Sequence, residues 1–264
     1  MVKVGILQFA PVLGDVKANV SQVRELVTSN KRCDLYVLPE LANSGYRFNN
    51  RDEVILAAEK VQSSYFLKEL MQLAVHKNAH IVTGFCEREG SLLYNSSVLI
   101  GPEGLVGVYR KLHLFMDEKD FFEPGNLGLP VYDTPIGRIG MLVCFDWMFP
   151  EAWRALVLKG AQLIAHPSNL VLPYCQSVMP SYSLVNKCFI ATANRIGKER
   201  DLTFTGQSVL VDPTGEYVLK GSIDQTEFLT VEVDLKQSDN KNITPRNDVM
   251  KDRRSDVYGD FNVR

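Results

Sequence analysis

The chain has 264 residues, 45% of them hydrophobic and 23% charged, enough apolar material for one large globular domain or two small ones. A formal charge of −2 offers no electrostatic footprint for nucleic acid or an anionic membrane, so neither is expected as a partner. No apolar run is long enough to span a bilayer, and the five cysteines are odd in number with no CxxC spacing, so a disulfide framework or zinc knuckle is not indicated and a reducing, cytoplasmic setting is expected.

In chain order, "VKVGILQF" reads as a buried first strand rather than a signal segment. Asn19 to Asn30 carries Val20, Val23, Leu26 and Val27 at helical spacing, and "DLYVLPE" reads as a second strand. Residues 63–78 predict a helix with Phe66, Leu67, Leu70, Leu73 and Ala74 on one face. Three strands follow, "AHIVTGFCE", "LLYNSSVLIG" and "GLVGVYRK", the last two joined by the turn "GPEG". Residues 112–130 read as a loop. "TPIGRIGMLVC" is then a strand, and Pro150 suits the first turn of a helix running to about Lys159. "AQLIAHPSN" predicts a strand, 175–188 a helix, "FIATANRIG" a strand, and "GQSVLVDPTGEYVLK" a hairpin over Asp-Pro-Thr-Gly. Helices alternate with some strands and flank hairpins elsewhere, so the expectation is one α/β domain over 1–264 with mixed sheets. Residues 239–264 form a polar tail, expected to lie over a surface or a partner subunit.

Three polar residues share a context. Glu40 ends "YVLPE", Lys111 ends "GVYRK" and Cys144 ends "MLVC", each where an apolar strand is predicted to stop. In α/β sheets ligands bind at the carboxyl ends of strands, where loops open a crevice. Together the three make a nucleophilic set. Cysteine attacks as the thiolate and needs a base, which Glu40 supplies, while Lys111 stays cationic and can stabilise an oxyanion. The backbone N–H of Phe145 is a second donor candidate. Taken singly each residue has a plainer reading: a core cysteine, a helix-capping acid and a solvated lysine.

Other chemistries would draw on different residues. His113 stands two residues beyond Lys111 and is the base a Cys–His hydrolase would use. His76 and His80 have the i, i+4 spacing of a metal pair, but "HKNAH" lacks a following glutamate and crosses from helix into strand, so no metal site is expected. A thiol redox protein would want a resolving cysteine. A catalytically silent interaction protein would have no need of all three polar residues.

"LPE", "YRKLHLF" with Glu118 and "FFEPG" after it, and "CFDWMFPE" stand in the order and context of the nitrilase superfamily of carbon–nitrogen hydrolases, which the chain resembles along its whole length through "AHPSN", "ATANRIG" and the GQS-then-DPTG hairpin as well. The nearest likeness is to archaeal-type nitrilases and aliphatic amidase-like members. The resemblance implies a four-layer α-β-β-α sandwich with two mixed sheets and subunits that pair into a homodimer or higher oligomer. It implies Glu40 as general base, Lys111 as the oxyanion cation, Cys144 as nucleophile and Glu118 as a second glutamate that positions the lysine and the substrate amide. By the same resemblance Tyr46, Trp147 and Asn169 would touch the substrate, though a capped turn also accounts for Tyr46 and Asn169. Asp146 and Trp147 are expected to leave the strand in a tight elbow, with Glu151 near the start of the next helix either fixing that elbow or serving as an ordinary N-terminal helix charge. No metal or organic cofactor is implied. Relatives that take carboxylate-bearing substrates often carry an arginine three or four positions after the cysteine. Trp147 and Met148 stand there instead, so the expected substrate is a small uncharged amide or, with the same residues, a nitrile.

Overall fold

A computed structural model describes residues 1–258. The first half of the chain builds one six-stranded sheet. β1 (Val2–Gln8) leads through α1 (Val16–Thr28) to β2 (Leu35–Val37), and α2 (Arg51–Ala57) and α3 (Tyr65–Lys77) lead to β3 (His80–Glu89). These three strands are parallel, as helical crossovers require. β4 (Leu92–Gly101) and β5 (Gly104–Arg110) then extend the sheet as an antiparallel meander.

The second half repeats the plan. After α4 (Glu118–Phe121) come β6 (Val131–Thr134) and β7 (Gly137–Met141), α5 (Pro150–Leu158), β8 (Leu163–Ser168), α6 (Cys175–Asn186) and β9 (Phe189–Asn194). A small hairpin, β10 (Lys198–Glu199) with β11 (Leu202–Thr203), precedes β12 (Val209–Val211) and β13 (Tyr217–Lys220). β7, β8 and β9 are parallel, with antiparallel strands at both flanks, giving the order β13-β12-β9-β8-β7-β6. Finally β14 (Glu227–Val233) returns to the first sheet and pairs antiparallel with β1, so that sheet runs β14-β1-β2-β3-β4-β5.

Strand alternation sorts the side chains into layers. Ile6, Leu35, Val37, Val82 and Leu99 point inward and share one core with Ile139, Met141, Leu163 and Ala165 of the second sheet. Their neighbours Leu7, Tyr36, Ile81 and Val98 point outward onto Val20, Val23 and Val27 of α1 and Phe66, Leu67 and Leu70 of α3. Trp153, Leu156 and Val157 of α5 cover the second sheet. The result is the α-β-β-α sandwich. Burying each such Leu, Val or Phe contributes about 1.5–3 kcal/mol, so the layers rest on the apolar stripes. The helix ends are set locally: Asp15, Asn50 and Ser64 accept from Ala18, Glu53 and Leu67 N–H, caps worth about 1 kcal/mol each.

Several sequence expectations change. "TPIGRIGMLVC" is not one strand: Thr134 ends β6, the chain turns at Pro135 and Ile136, and β7 stops at Met141. Proline's fixed φ and Gly137 at φ +138° suit that turn. α2, α4, β6 and β14 leave little mark in the sequence: α2, α4 and β6 are short and β14 is half-exposed, so none carries a strong apolar period. The tail is not featureless over its described part. The 3-10 turn Leu235–Asp239 leads into it, and within it Asn242–Thr244 pairs with Asn247–Asp248. Residues 259–264 of the tail lie outside the described residues. No helix among the described residues is long and apolar enough to cross a membrane.

Candidate active site

Glu40 lies three residues past the end of β2, and the chain is held there by its backbone: Leu38 N–H donates to Val82 O (2.8 Å) and Gly84 N–H to Pro39 O (3.0 Å). The approach is so close that a Cβ on Gly84 would stand 2.3 Å from the Glu40 Cα. Only glycine permits it. Asn169 adds a third restraint, its Nδ2 donating to the Glu40 carbonyl at 2.9 Å. The Glu40 side chain is fully buried, and its Oε1 accepts from Lys111 Nζ and from Asn95 Nδ2, both at 2.7 Å. Its Oε2 accepts no hydrogen bond from the described residues.

Lys111 follows β5 directly. Asn95 O, on the neighbouring β4, accepts from its backbone N–H (2.8 Å), and Gly125 N–H donates to its carbonyl (2.9 Å). Its buried ammonium also donates to Glu118 Oε1 at 2.8 Å. Burial opposes the charge, but Glu118 and Glu40 outweigh it and raise the lysine above its ordinary value, so it stays cationic. Burial pushes the Glu118 carboxyl up, partly opposed by Lys111. Glu118 is steadied by Tyr46 OH on Oε1 (2.8 Å) and Phe115 N–H on Oε2 (3.2 Å).

Cys144 opens a 3-10 turn, Cys144–Met148, with φ +42°, a left-handed conformation rare for a residue with a Cβ. Two side chains grip the elbow. Asp146, wholly buried, reaches back with Oδ2 to accept from Val143 N–H (2.9 Å), the carboxylate half of a capping box. The same oxygen accepts from Tyr109 OH (2.7 Å), and Oδ1 accepts from His113 N–H (3.2 Å) and pairs with His113 Nδ1 (2.7 Å). Tyr109 and His113 bracket Lys111, so one carboxylate ties the cysteine elbow to the lysine segment. On the other side His166 Nε2 lies 2.9 Å from the Cys144 carbonyl. Burial raises the thiol well above its ordinary value, Glu40 adds to the shift, and Lys111 and the Asn169 backbone N–H oppose it. The resting sulfur is therefore a neutral thiol beside a carboxylate with an open oxygen.

A cavity of about 170 Å³ reaches the buried Cys144, lined by it with Phe115, Phe145, Trp147, Asn169 and Tyr174 among others, and by no charged side chain among the described residues. A smaller one of about 70 Å³ adjoins it across Phe115 and Val171 and is lined by Tyr46 and Glu118.

The structure thus brings Glu40, Lys111, Glu118 and Cys144 together, with Phe145, Trp147 and Asn169 at the cavity wall. Tyr46 sits instead on Glu118, in the adjoining cavity. His113 stacks on Phe149, with centroids 3.5 Å apart, and its Nδ1 is taken by Asp146, so it supports the loop and is not part of the thiol cavity's lining. Glu151 is exposed and makes no hydrogen bond to the elbow among the described residues; Asp146 does that work, because position three of the turn can reach the backbone behind it. His76 and His80 fall on different elements, α3 and β3. Asn95, Tyr109 and His166 carry no catalytic signature in the sequence. Their signal is a polar residue inside an otherwise apolar strand, as in "LLYNSSVLIG", which marks burial with a partner but not which partner.

Residues 3–241 match the model of a family described as carbon-nitrogen hydrolase. A nitrilase of Pyrococcus abyssi is 44% identical over 260 residues, 98% of this chain and 99% of that protein. An (R)-stereoselective amidase of a Pseudomonas species is 32% identical over 263 residues, 98% and 93% of the two chains. The crystal structure of a carbon–nitrogen hydrolase from Helicobacter pylori superposes with a TM-score of 0.85, at 27% identity over 97% of both chains. With that coverage and that fold, the chain belongs to the carbon–nitrogen hydrolases of the nitrilase superfamily, enzymes that act on non-peptide carbon–nitrogen bonds.

Proposed function

We propose that the protein hydrolyses small uncharged amides to a carboxylic acid and ammonia through a thioester on Cys144. The observation that carries this is the state of Glu40: one oxygen saturated by Lys111 and Asn95, the other unpartnered, in a buried cluster whose charges bear on a neutral thiol. Glu40 takes the thiol proton as the sulfur attacks the carbonyl carbon. Lys111 and the Phe145 N–H hold the oxyanion, a role worth about 3–4 kcal/mol for a well-placed donor. Protonated Glu40 gives its proton to the nitrogen, the carbon–nitrogen bond breaks and ammonia leaves. Water then attacks the thioester while Glu40 takes its proton. The carbon–sulfur bond breaks, the acid departs, and Glu40 returns a proton to the sulfur. Glu118, held by Tyr46, positions Lys111 and accepts from the substrate amide; Trp147 and Asn169 bound the acyl group. The uncharged lining supports an uncharged substrate, since a buried carboxylate there would lack a partner.

A nitrile is the second reading, supported by the name of the 44% identical relative. Ammonia release from matched amides and nitriles decides between them, with Cys144→Ala as control. Amides turned over at least about tenfold faster than the nitriles are expected. Equal release by enzyme and control overturns the whole reading, and faster nitrile turnover replaces the amidase with a nitrilase. We further propose that residues 1–264 act as one domain in the cytoplasm, as a homodimer or larger oligomer. The exposed Leu158, Leu184 and Val185 on α5 and α6 support the pairing, and sedimentation measures it.

A further inference from the structure

We propose that His166 is a positioning residue of the oxyanion site: by holding the carbonyl of the Cys144–Phe145 peptide, it aims the N–H of that same peptide at the substrate oxygen. The inference rests on the reading above, in which the Phe145 N–H takes the oxyanion. His166 is a completely buried residue of β8 that the mechanism itself does not use. Its Nε2 stands 2.9 Å from the Cys144 carbonyl oxygen. A carbonyl only accepts, so Nε2 carries the proton, and Nδ1 is left to accept from Thr192 Oγ1 at 3.1 Å. Ser168 Oγ lies 3.4 Å from both ring nitrogens, and Trp153 packs edge-on at 5.3 Å, so the ring is fixed on several sides.

Covalent geometry carries the grip across to the N–H. No peptide bond in the described residues is cis, and in a trans peptide the C=O and N–H point in opposite directions. Fixing the carbonyl toward His166 therefore directs the Phe145 N–H the other way, toward the cavity that Cys144 and Phe145 line. That N–H opens a 3-10 turn, where the first donors have no acceptor within the turn itself. The grip is needed because Cys144 is left-handed at φ +42°. A freed peptide relaxes by rotating, and rotation turns the N–H away. The hydrogen bond to the carbonyl also polarises the peptide and strengthens its N–H as a donor.

The test compares two reactions of Cys144. Amide hydrolysis builds an oxyanion; modification by methyl methanethiosulfonate, in which the thiolate attacks sulfur and methanesulfinate leaves, builds none on carbon. His166→Leu is expected to lower kcat on the order of 100-fold with KM changed less than about threefold, while thiosulfonate modification stays within about threefold of wild type. His166→Gln, which keeps an N–H donor, should recover about tenfold of that loss. Thr192→Val loosens the ring from its far side and keeps the question open to measurement if neither His166 variant folds; it should cost about three- to tenfold in kcat alone. Equal losses in hydrolysis and thiosulfonate modification, or no rescue by glutamine, or no loss at all, overturn the proposal. A wild-type enzyme that releases no ammonia from amides fails the functional reading instead, which is a separate result.

Discussion

Gly84→Ala alters no side chain of the catalytic cluster, yet it should nearly silence the enzyme. The added Cβ would lie 2.3 Å from the Glu40 Cα and 2.4 Å from the Leu41 N, both backbone atoms, whereas ordinary contact begins at 3.4 Å. Backbone cannot swing aside as a side-chain tip does, so the Glu40 segment must retreat by roughly 1 Å, and misplacement on that scale costs about 100-fold in rate. Overpacking of this kind destabilises by about 1–3 kcal/mol, against about 5–15 kcal/mol for a typical domain, so the variant remains folded while it fails. The assay is kcat/KM for ammonia release from a small amide on protein whose folding is checked by circular dichroism. A variant within about threefold of wild type would show that Glu40 need not sit where β3 pins it, and the reasoning would be wrong.

Three other outcomes can be checked. Asp146→Ala strands the buried Val143 N–H and Tyr109 OH at about 1–3 kcal/mol each, partly offset by losing a buried carboxylate, so urea unfolding should show a net loss of about 2–4 kcal/mol; a loss under about 0.5 kcal/mol refutes the clasp. Burial lowers His166 from 6.5 to about 4, so between those values the unfolded chain binds the proton that the folded one refuses, and stability falls as pH drops through that window. The full effect is about 3 kcal/mol, and the acid limb of the stability curve should flatten in His166→Gln relative to wild type. Tyr46→Phe removes one of the two donors on Glu118 Oε1 and should lower kcat about tenfold, read by the same ammonia assay; an unchanged kcat would mean that Lys111 and the Phe115 N–H hold Glu118 without it.

Much of this molecule was legible in its residues because the relevant signals are local. The valines at 20, 23 and 27 and the Phe66-to-Ala74 stripe had to lie on helices facing a sheet, and both do. Acid, amine and thiol each followed an apolar run, which placed them at strand ends without saying whose ends adjoin. Folding decided the rest. That the Glu40–Lys111 pair of the first sheet meets Cys144 of the second depends on two sheets packing face to face, and that β14 crosses back to β1 depends on a pairing more than two hundred residues apart in the chain. Hydrogen bonds such as Asp146 to Tyr109 or His166 to the Cys144 carbonyl obey no sequence period. Periodicity records how one segment meets a surface, whereas a buried polar partner is chosen only by which segments the packed core brings within 3 Å of each other.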